Sequence, residues 1–181
     1  MEGVLGWGQR LGAVAQIALV VEDLRASIDH FIRDQGAGPF FVLDQFWQAG
    51  QFYRGQPSLA DVTIAMGFSG QTWFELIQPL DQHPSVYRET ISARGYGFHH
   101  HGIGYADCEA ELPRYLANGW REVFRAAVPT GGEVIYLENL HAPAPGFIEL
   151  LPATPGMDET FTRFWKAAQD WDGSDPVRPF V

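Results

Sequence analysis

The stretch Gly97-Phe98-His99-His100-His101-Gly102-Ile103-Gly104-Tyr105-Ala106-Asp107 decides how this chain is read. It has the look of a strand that carries a histidine and ends at an Asp able to cap a following helix. An earlier stretch, Ala15-Gln16-Ile17-Ala18-Leu19-Val20-Val21-Glu22-Asp23, is built the same way. Gln16 stands seven positions before Asp23, and His100 stands seven before Asp107. The chain therefore reads as two copies of one unit.

Element order supports the repeat. Val14 to Val21 reads as a strand. Asp23 then opens a helix whose Leu24, Ile28, Phe31 and Ile32 recur at the spacing of one buried face. Phe40 to Phe46, Asp61 to Phe68 and Gln71 to Pro79 read as strands, with Trp47 to Ala60 a long loop between the first two. A connecting stretch, Asp81 to Arg94, holds a short helix and leads to the break Gly95-Tyr96-Gly97. The order then returns. Phe98 to Ala106 is a strand, and Asp107 to Asn118 is a helix with Leu112, Tyr115 and Leu116 inward. Trp120 to Val128, Glu133 to Leu140 and Phe147 to Leu151 are strands. An appended helix from Met157 to Trp171 carries Phe161, Phe164, Trp165 and Ala168 on one side, as packing or a homodimer contact. An irregular tail follows.

The expected class is α+β: paired βαβββ modules forming a cupped mixed sheet, with helices outside and a C-terminal helix added. The ranges are 13–80 for the first module, 81–97 for the connection, 98–152 for the second module and 153–181 for the helix and tail, in one compact domain.

Composition narrows the function classes. The 181 residues carry a net charge of -10, which disfavours nucleic acid and anionic membrane as partners. One cysteine, Cys108, excludes an intrachain disulfide framework and reads as a buried filler at a helix start. The apolar run Ile17 to Val21 is far too short to span a membrane, and Met1 to Gly12 lacks the apolar core of a signal peptide. The expectation is a cytoplasmic protein.

Side chains alternate across a strand, so parity selects the site. His101, Ile103 and Tyr105 share one face; His100, Gly102 and Gly104 share the other, which places His100 inward and His101 outward. The matching inward set in the first unit is Gln16, Ala18 and Val20. His30, His83, His99, His101 and His141 have no counterpart in the repeat and read as surface or loop residues. The closing strands also correspond: Trp73-Phe74-Glu75-Leu76-Ile77-Gln78-Pro79 and Gly146-Phe147-Ile148-Glu149-Leu150-Leu151-Pro152. A glutamate within an apolar strand is costly to bury alone, and two in equivalent places suggest a shared cation. Gln16, Glu75, His100 and Glu149 form a nitrogen/oxygen set suited to zinc, nickel, manganese, iron or magnesium.

At these residues the chain resembles the vicinal oxygen chelate superfamily, the glyoxalase/bleomycin-resistance/extradiol-dioxygenase fold, over roughly residues 13 to 152. Glu75-Leu76-Ile77-Gln78-Pro79 and Arg94-Gly95-Tyr96-Gly97-Phe98-His99-His100 resemble the glyoxalase I/methylmalonyl-CoA epimerase branch most closely. The resemblance implies paired βαβββ modules and a divalent metal at Gln16, Glu75, His100 and Glu149. Epimerase-like members usually carry His at the first of these positions, so Gln16 departs from that pattern. The chemistry implied is proton abstraction α to a carbonyl through a metal-stabilised enolate, with Glu149 as base and Glu75 as the alternative.

The expected activity is thus that of an isomerase, epimerase or lyase on a small-molecule carbonyl substrate. Phe41, Trp47, Tyr53 and Trp73 would line an apolar pocket, and Arg54 would bind a substrate carboxylate. Two alternatives stand beside it. One is a ring-cleaving dioxygenase, which needs two histidines and a carboxylate on iron. The other is a metal-free, drug-sequestering binding protein.

Overall fold

In the computed structural model, residues 3–181 are described. The first unit begins with β1 (Val14–Val20), continues through α1 (Leu24–Gln35) to β2 (Phe40–Leu43), and ends with the antiparallel pair β5 (Val62–Ser69) and β6 (Thr72–Pro79). Between β2 and β5, the segment expected to be a plain loop folds a small hairpin, β3 (Phe52–Tyr53) and β4 (Gln56–Pro57). Its two-residue turn puts Arg54 and Gly55 at φ 49° and 75°, the twist that two-residue hairpins require. The hairpin reaches across to the other unit, pairing Tyr53 with Phe124.

A short helix, α2 (Val86–Arg94), leads into the second unit: β7 (Gly97–Tyr105), α3 (Cys108–Ala117), β8 (Arg121–Ala127), β9 (Glu133–Glu138) and β10 (Phe147–Pro152). The matched aspartates do what the spacing predicts. Asp23 accepts the Ala26 N–H at 2.9 Å and Asp107 the Ala110 N–H at 3.0 Å, satisfying helix-end donors in both units. Gly36 ends α1 at φ 60°.

All the strands join in one sheet with the order β11-β2-β5-β6-β1-β7-β10-β9-β8-β3-β4, where β11 is Val177–Pro179. Its symmetry is visible in the middle. β1 and β7 pair antiparallel, and each is flanked by the parallel closing strand of its own unit, β6 or β10. The two units therefore close on one another within a single chain.

Two clusters pack the outer face of this sheet. Leu24, Ile28 and Phe31 of α1 cover Phe40, Ala65 and Leu76, and Cys108 and Tyr115 of α3 cover Ile135, Leu137 and Leu150. Leu116 departs from its expected inward placement and is 48% exposed. The buried contact of α3 runs instead through Tyr115, whose hydroxyl meets that of Tyr105 at 2.9 Å.

The inner face is covered by the ends of the chain. α4 (Pro155–Gln169) is capped by the Thr154 hydroxyl and lays Met157, Phe161 and Phe164 into the cup. Phe161 packs on Trp73 with ring centroids 3.8 Å apart, and Phe164 stacks on Phe41 at 3.8 Å. Burial of such rings contributes about 1.5–3 kcal/mol each, enough to hold a single helix in place. The aromatic stripe is thus used within the chain rather than offered whole to a partner. The tail is not irregular throughout: β11 pairs parallel with β2, and Phe180 is buried in the same inner cluster.

Candidate metal centre and cavity

Two β-bulges shape the centre. Along β1 and β7, Val14 pairs with Ile103 but Gln16 pairs with Gly102, so Ala15 is an extra residue. Ala18 pairs with His100 but Leu19 with Phe98, so His99 is another. A bulge breaks strict alternation and can turn two consecutive side chains to one side. His99 and His100 are both fully buried, while His101 is exposed and shares the outer face with Phe98, rings 4.7 Å apart. The expectation that His99 lies at the surface is therefore corrected, because parity alone cannot place a bulge. His30, His83, His101 and His141 are exposed.

Four adjacent strands bring Gln16, Glu75, His100 and Glu149 together. Ala18 has Glu75 on one side and His100 on the other; Gly102 has Gln16 on one side and Glu149 on the other. Nε2 of His100 lies 2.9 Å from Oε1 of Gln16, 3.0 Å from Oε2 of Glu149 and 3.5 Å from Oε2 of Glu75. Small neighbours make this crowding feasible. A Cβ at Gly102 would stand 2.5 Å from Oε1 of Gln16, so only glycine leaves that side chain its place.

The donor atoms of Glu75, His100 and Glu149 all lie within 4.8 Å of one another, a group able to hold a metal ion. Oε2 of each glutamate is buried without a hydrogen bond among the described residues. Burial drives the Glu75 carboxyl well above the usual range, with Glu149 adding repulsion, and burial likewise raises Glu149. Burial, with a smaller effect of His101, lowers the His100 imidazole to about 3. Two orphaned carboxyl oxygens and a neutral imidazole aimed at one point fit a divalent cation of nitrogen/oxygen preference better than they fit each other.

Two neighbours escaped the sequence reading. The buried Tyr136 hydroxyl hydrogen-bonds the Glu149 carboxyl, and Tyr87 is hydrogen-bonded to Tyr136 in turn. Nδ1 of His99 meets Nδ1 of His100 at 2.7 Å, and the His99 ring stacks on Tyr87. Tyr136 sits in an apolar strand pattern that gives no sign of the contact. The run of three histidines was the one visible hint of His99.

In front of the centre lies a cavity of about 60 Å³. Gln16, Glu75 and Glu149 form its floor. Ile64, Met66 and Trp73 line one wall, Phe124 and Tyr136 the other, and Met157, Phe161 and Phe180 the roof. Of the expected substrate contacts, Trp73 is in the lining and Phe41, Trp47, Tyr53 and Arg54 are not. Phe41 is turned to Phe164. Trp47 is 41% exposed and donates its indole N–H to the Ser58 carbonyl at 3.2 Å. The Tyr53 hydroxyl donates to Glu89 at 2.9 Å. Arg54 is held by both oxygens of Glu138 at 2.6 and 2.8 Å and by Glu89 at 2.6 Å, which leaves it no free face for a carboxylate.

The family follows from these features and from comparison. Residues 15–136, about two thirds of the chain, match the family model of the Glyoxalase/Bleomycin resistance protein/Dioxygenase superfamily. The chain belongs to this superfamily. Its fold is similar to that of methylmalonyl-CoA epimerase from Mycobacterium tuberculosis, at 17% identity and TM-score 0.58, covering 82% of this chain and 93% of that one. A hypothetical protein from Bacillus halodurans C-125 gives 20% identity, TM-score 0.56 and coverage of 76% and 91%. A Streptomyces coelicolor methylmalonyl-CoA epimerase variant in complex with 2-nitronate-propionyl-CoA gives 19%, 0.54, and 77% and 96%. No curated protein matches the chain. No helix among the described residues is long and apolar enough to cross a membrane.

Proposed function

We propose that the protein is a divalent-metal-dependent enzyme that removes a proton α to a carbonyl group of a small substrate and either returns it, as an isomerase or epimerase, or expels a leaving group, as a lyase. The observation that carries this reading is the convergence, beside an apolar cavity, of His100 and Gln16 with two buried carboxyl groups, each of which has one oxygen without a hydrogen bond among the described residues. A cation held by Gln16, Glu75, His100 and Glu149 would supply Lewis-acid polarisation of the carbonyl.

The chain's own groups do the rest. Glu149, oriented by Tyr136, accepts the α-proton, and Glu75 is the alternative base. The two come from equivalent strands and flank the His100–Gln16 contact. Such a pair suits removal of a proton on one side of a planar intermediate and return on the other. The apolar walls exclude water, which strengthens electrostatic interactions within. The epimerases among the fold neighbours favour this class of reaction over others of the superfamily.

Loading the protein with zinc, nickel, manganese, iron or magnesium and following deuterium uptake by small carbonyl compounds in deuterated water tests the proposal. Metal-dependent exchange at the α-carbon is expected. A protein that takes up none of these metals, or exchanges no substrate when loaded, would sink it. Ring cleavage is disfavoured because the second buried histidine, His99, has its Nδ1 on His100, which leaves one histidine for the set. Oxygen consumption by the iron-loaded protein separates the two chemistries.

His99 acts here as a positioning residue. Its contact with Nδ1 of His100 fixes which ring nitrogen of His100 presents a lone pair to the cation. His99→Phe keeps an aromatic ring in the stack but removes that contact. Its zinc affinity, read by competition with a chelating dye, is expected to fall about 10–100-fold. Unchanged affinity would contradict the role.

A further inference from the structure

The cavity also bears on the kind of molecule it takes. Its lining contains no lysine or arginine. Arg54 and Arg121 pair with Glu138, and Arg125 with Glu109, Glu122 and Glu133, while Arg163 lies outside the lining and donates to the Phe180 carbonyl. The chain as a whole carries a charge of -10, which repels a polyanion. A phosphorylated carrier is normally met by arginine, lysine or a helix N-terminus, and the lining brings no cation to meet one.

Size points the same way. A cavity of about 60 Å³ is smaller than the roughly 150 Å³ engineered cavity that accepts benzene. The roof residues are held in place. Phe161 packs on Trp73, and Phe180 is tied down by its N–H to the Val42 carbonyl and by Arg163 donating to its own carbonyl at 2.8 Å. One polar feature is left over in the wall. The indole N–H of Trp73, itself 1% exposed, has no acceptor among the described residues. A buried donor of this kind is satisfied by a neutral acceptor oxygen.

We infer that the site takes a compact, uncharged carbonyl compound with an apolar body smaller than a six-membered ring, and not a coenzyme A thioester. This rests on the proton-transfer reading above and gives it a substrate class that differs from the ligand of the Streptomyces coelicolor epimerase complex. α4 and the tail set the size limit, and the absence of cations in the lining sets the charge limit.

The test uses the full chain loaded with zinc. Binding is read by ligand-observed NMR for acetone and butanone, for cyclohexanone as an oversize ring, and for propionyl-CoA beside its neutral truncation, propionyl-N-acetylcysteamine. Saturable binding of acetone or butanone is expected, with cyclohexanone weaker and propionyl-CoA no tighter than the truncation. Propionyl-CoA binding about ten-fold or more tighter than the truncation would show recruited phosphate contacts and overturn the inference. Failure of both acetone and butanone to bind would overturn it too. Deuterium exchange is scored on the same samples. Ketone binding without exchange counts against the proton-transfer reading alone, while exchange on propionyl-CoA with no ketone binding counts against the substrate class alone.

Discussion

Glu149→Gln is expected to lose stoichiometric divalent metal and, with it, about 10²–10⁴-fold of the α-proton exchange rate. The loss of metal affinity should exceed the roughly 10–100-fold that an outer-shell partner contributes, because a charged donor itself is removed. Stability should respond with opposite signs in the two states. In metal-free protein the change replaces a buried acid, raised by burial, with a neutral amide of the same shape, so at pH 8 the variant is expected to match or exceed the parent's melting temperature. At metal concentrations near 100 times the dissociation constant the parent gains about 2.7 kcal/mol that the variant does not. Calorimetry with and without zinc, beside metal content by elemental analysis, reads both. A variant that retains metal, or a parent that never binds it, overturns the assignment.

The metal-free protein should lose stability as pH rises above about 6.5. The sign follows from which state holds more protons. Glu75 and Glu149 are raised by burial, Glu149 to about 8, so in this range the folded chain keeps carboxyl protons that the unfolded chain has released. Each such proton costs about 1.4 kcal/mol of stability per pH unit until the folded carboxyl itself ionises. The histidines act in the opposite sense but lower down. His100 falls to about 3 and His99 is also depressed by burial, so stability from them rises with pH only up to the unfolded value near 6.5. Above that point the carboxyls act alone. Glu75→Gln/Glu149→Gln should flatten the decline. Saturating zinc should reverse it, because binding displaces the carboxyl protons and so tightens with pH. A melting temperature that stays level or rises from pH 6.5 to 8 without metal would contradict this account.

Much of this arrangement was legible before any coordinates. The Asp23 and Asp107 caps, the apolar face of α1 and the matched Glu75 and Glu149 depend on local spacing, and local spacing is a property of the chain itself. The four polar residues aligned by the repeat do meet in one place. What escaped depends on partners distant in sequence. His99 turns inward only because β7 carries one residue more than β1 where they pair. Tyr136 reaches Glu149 only because β9 lies beside β10. Arg54 looked available for a substrate, yet its hairpin leans on β8 and delivers it to Glu138 and Glu89.

The sequence by itself determined the order of the repeated elements, the internal repeat and the inward placement of Gln16, Glu75, His100 and Glu149, because side-chain period and capping are short-range. Only the tertiary structure decided the two bulges, the Tyr136 and His99 contacts, and the closing of the cup by α4 and Phe180. Those are set by register and packing between segments far apart in the chain, where no local pattern constrains the outcome.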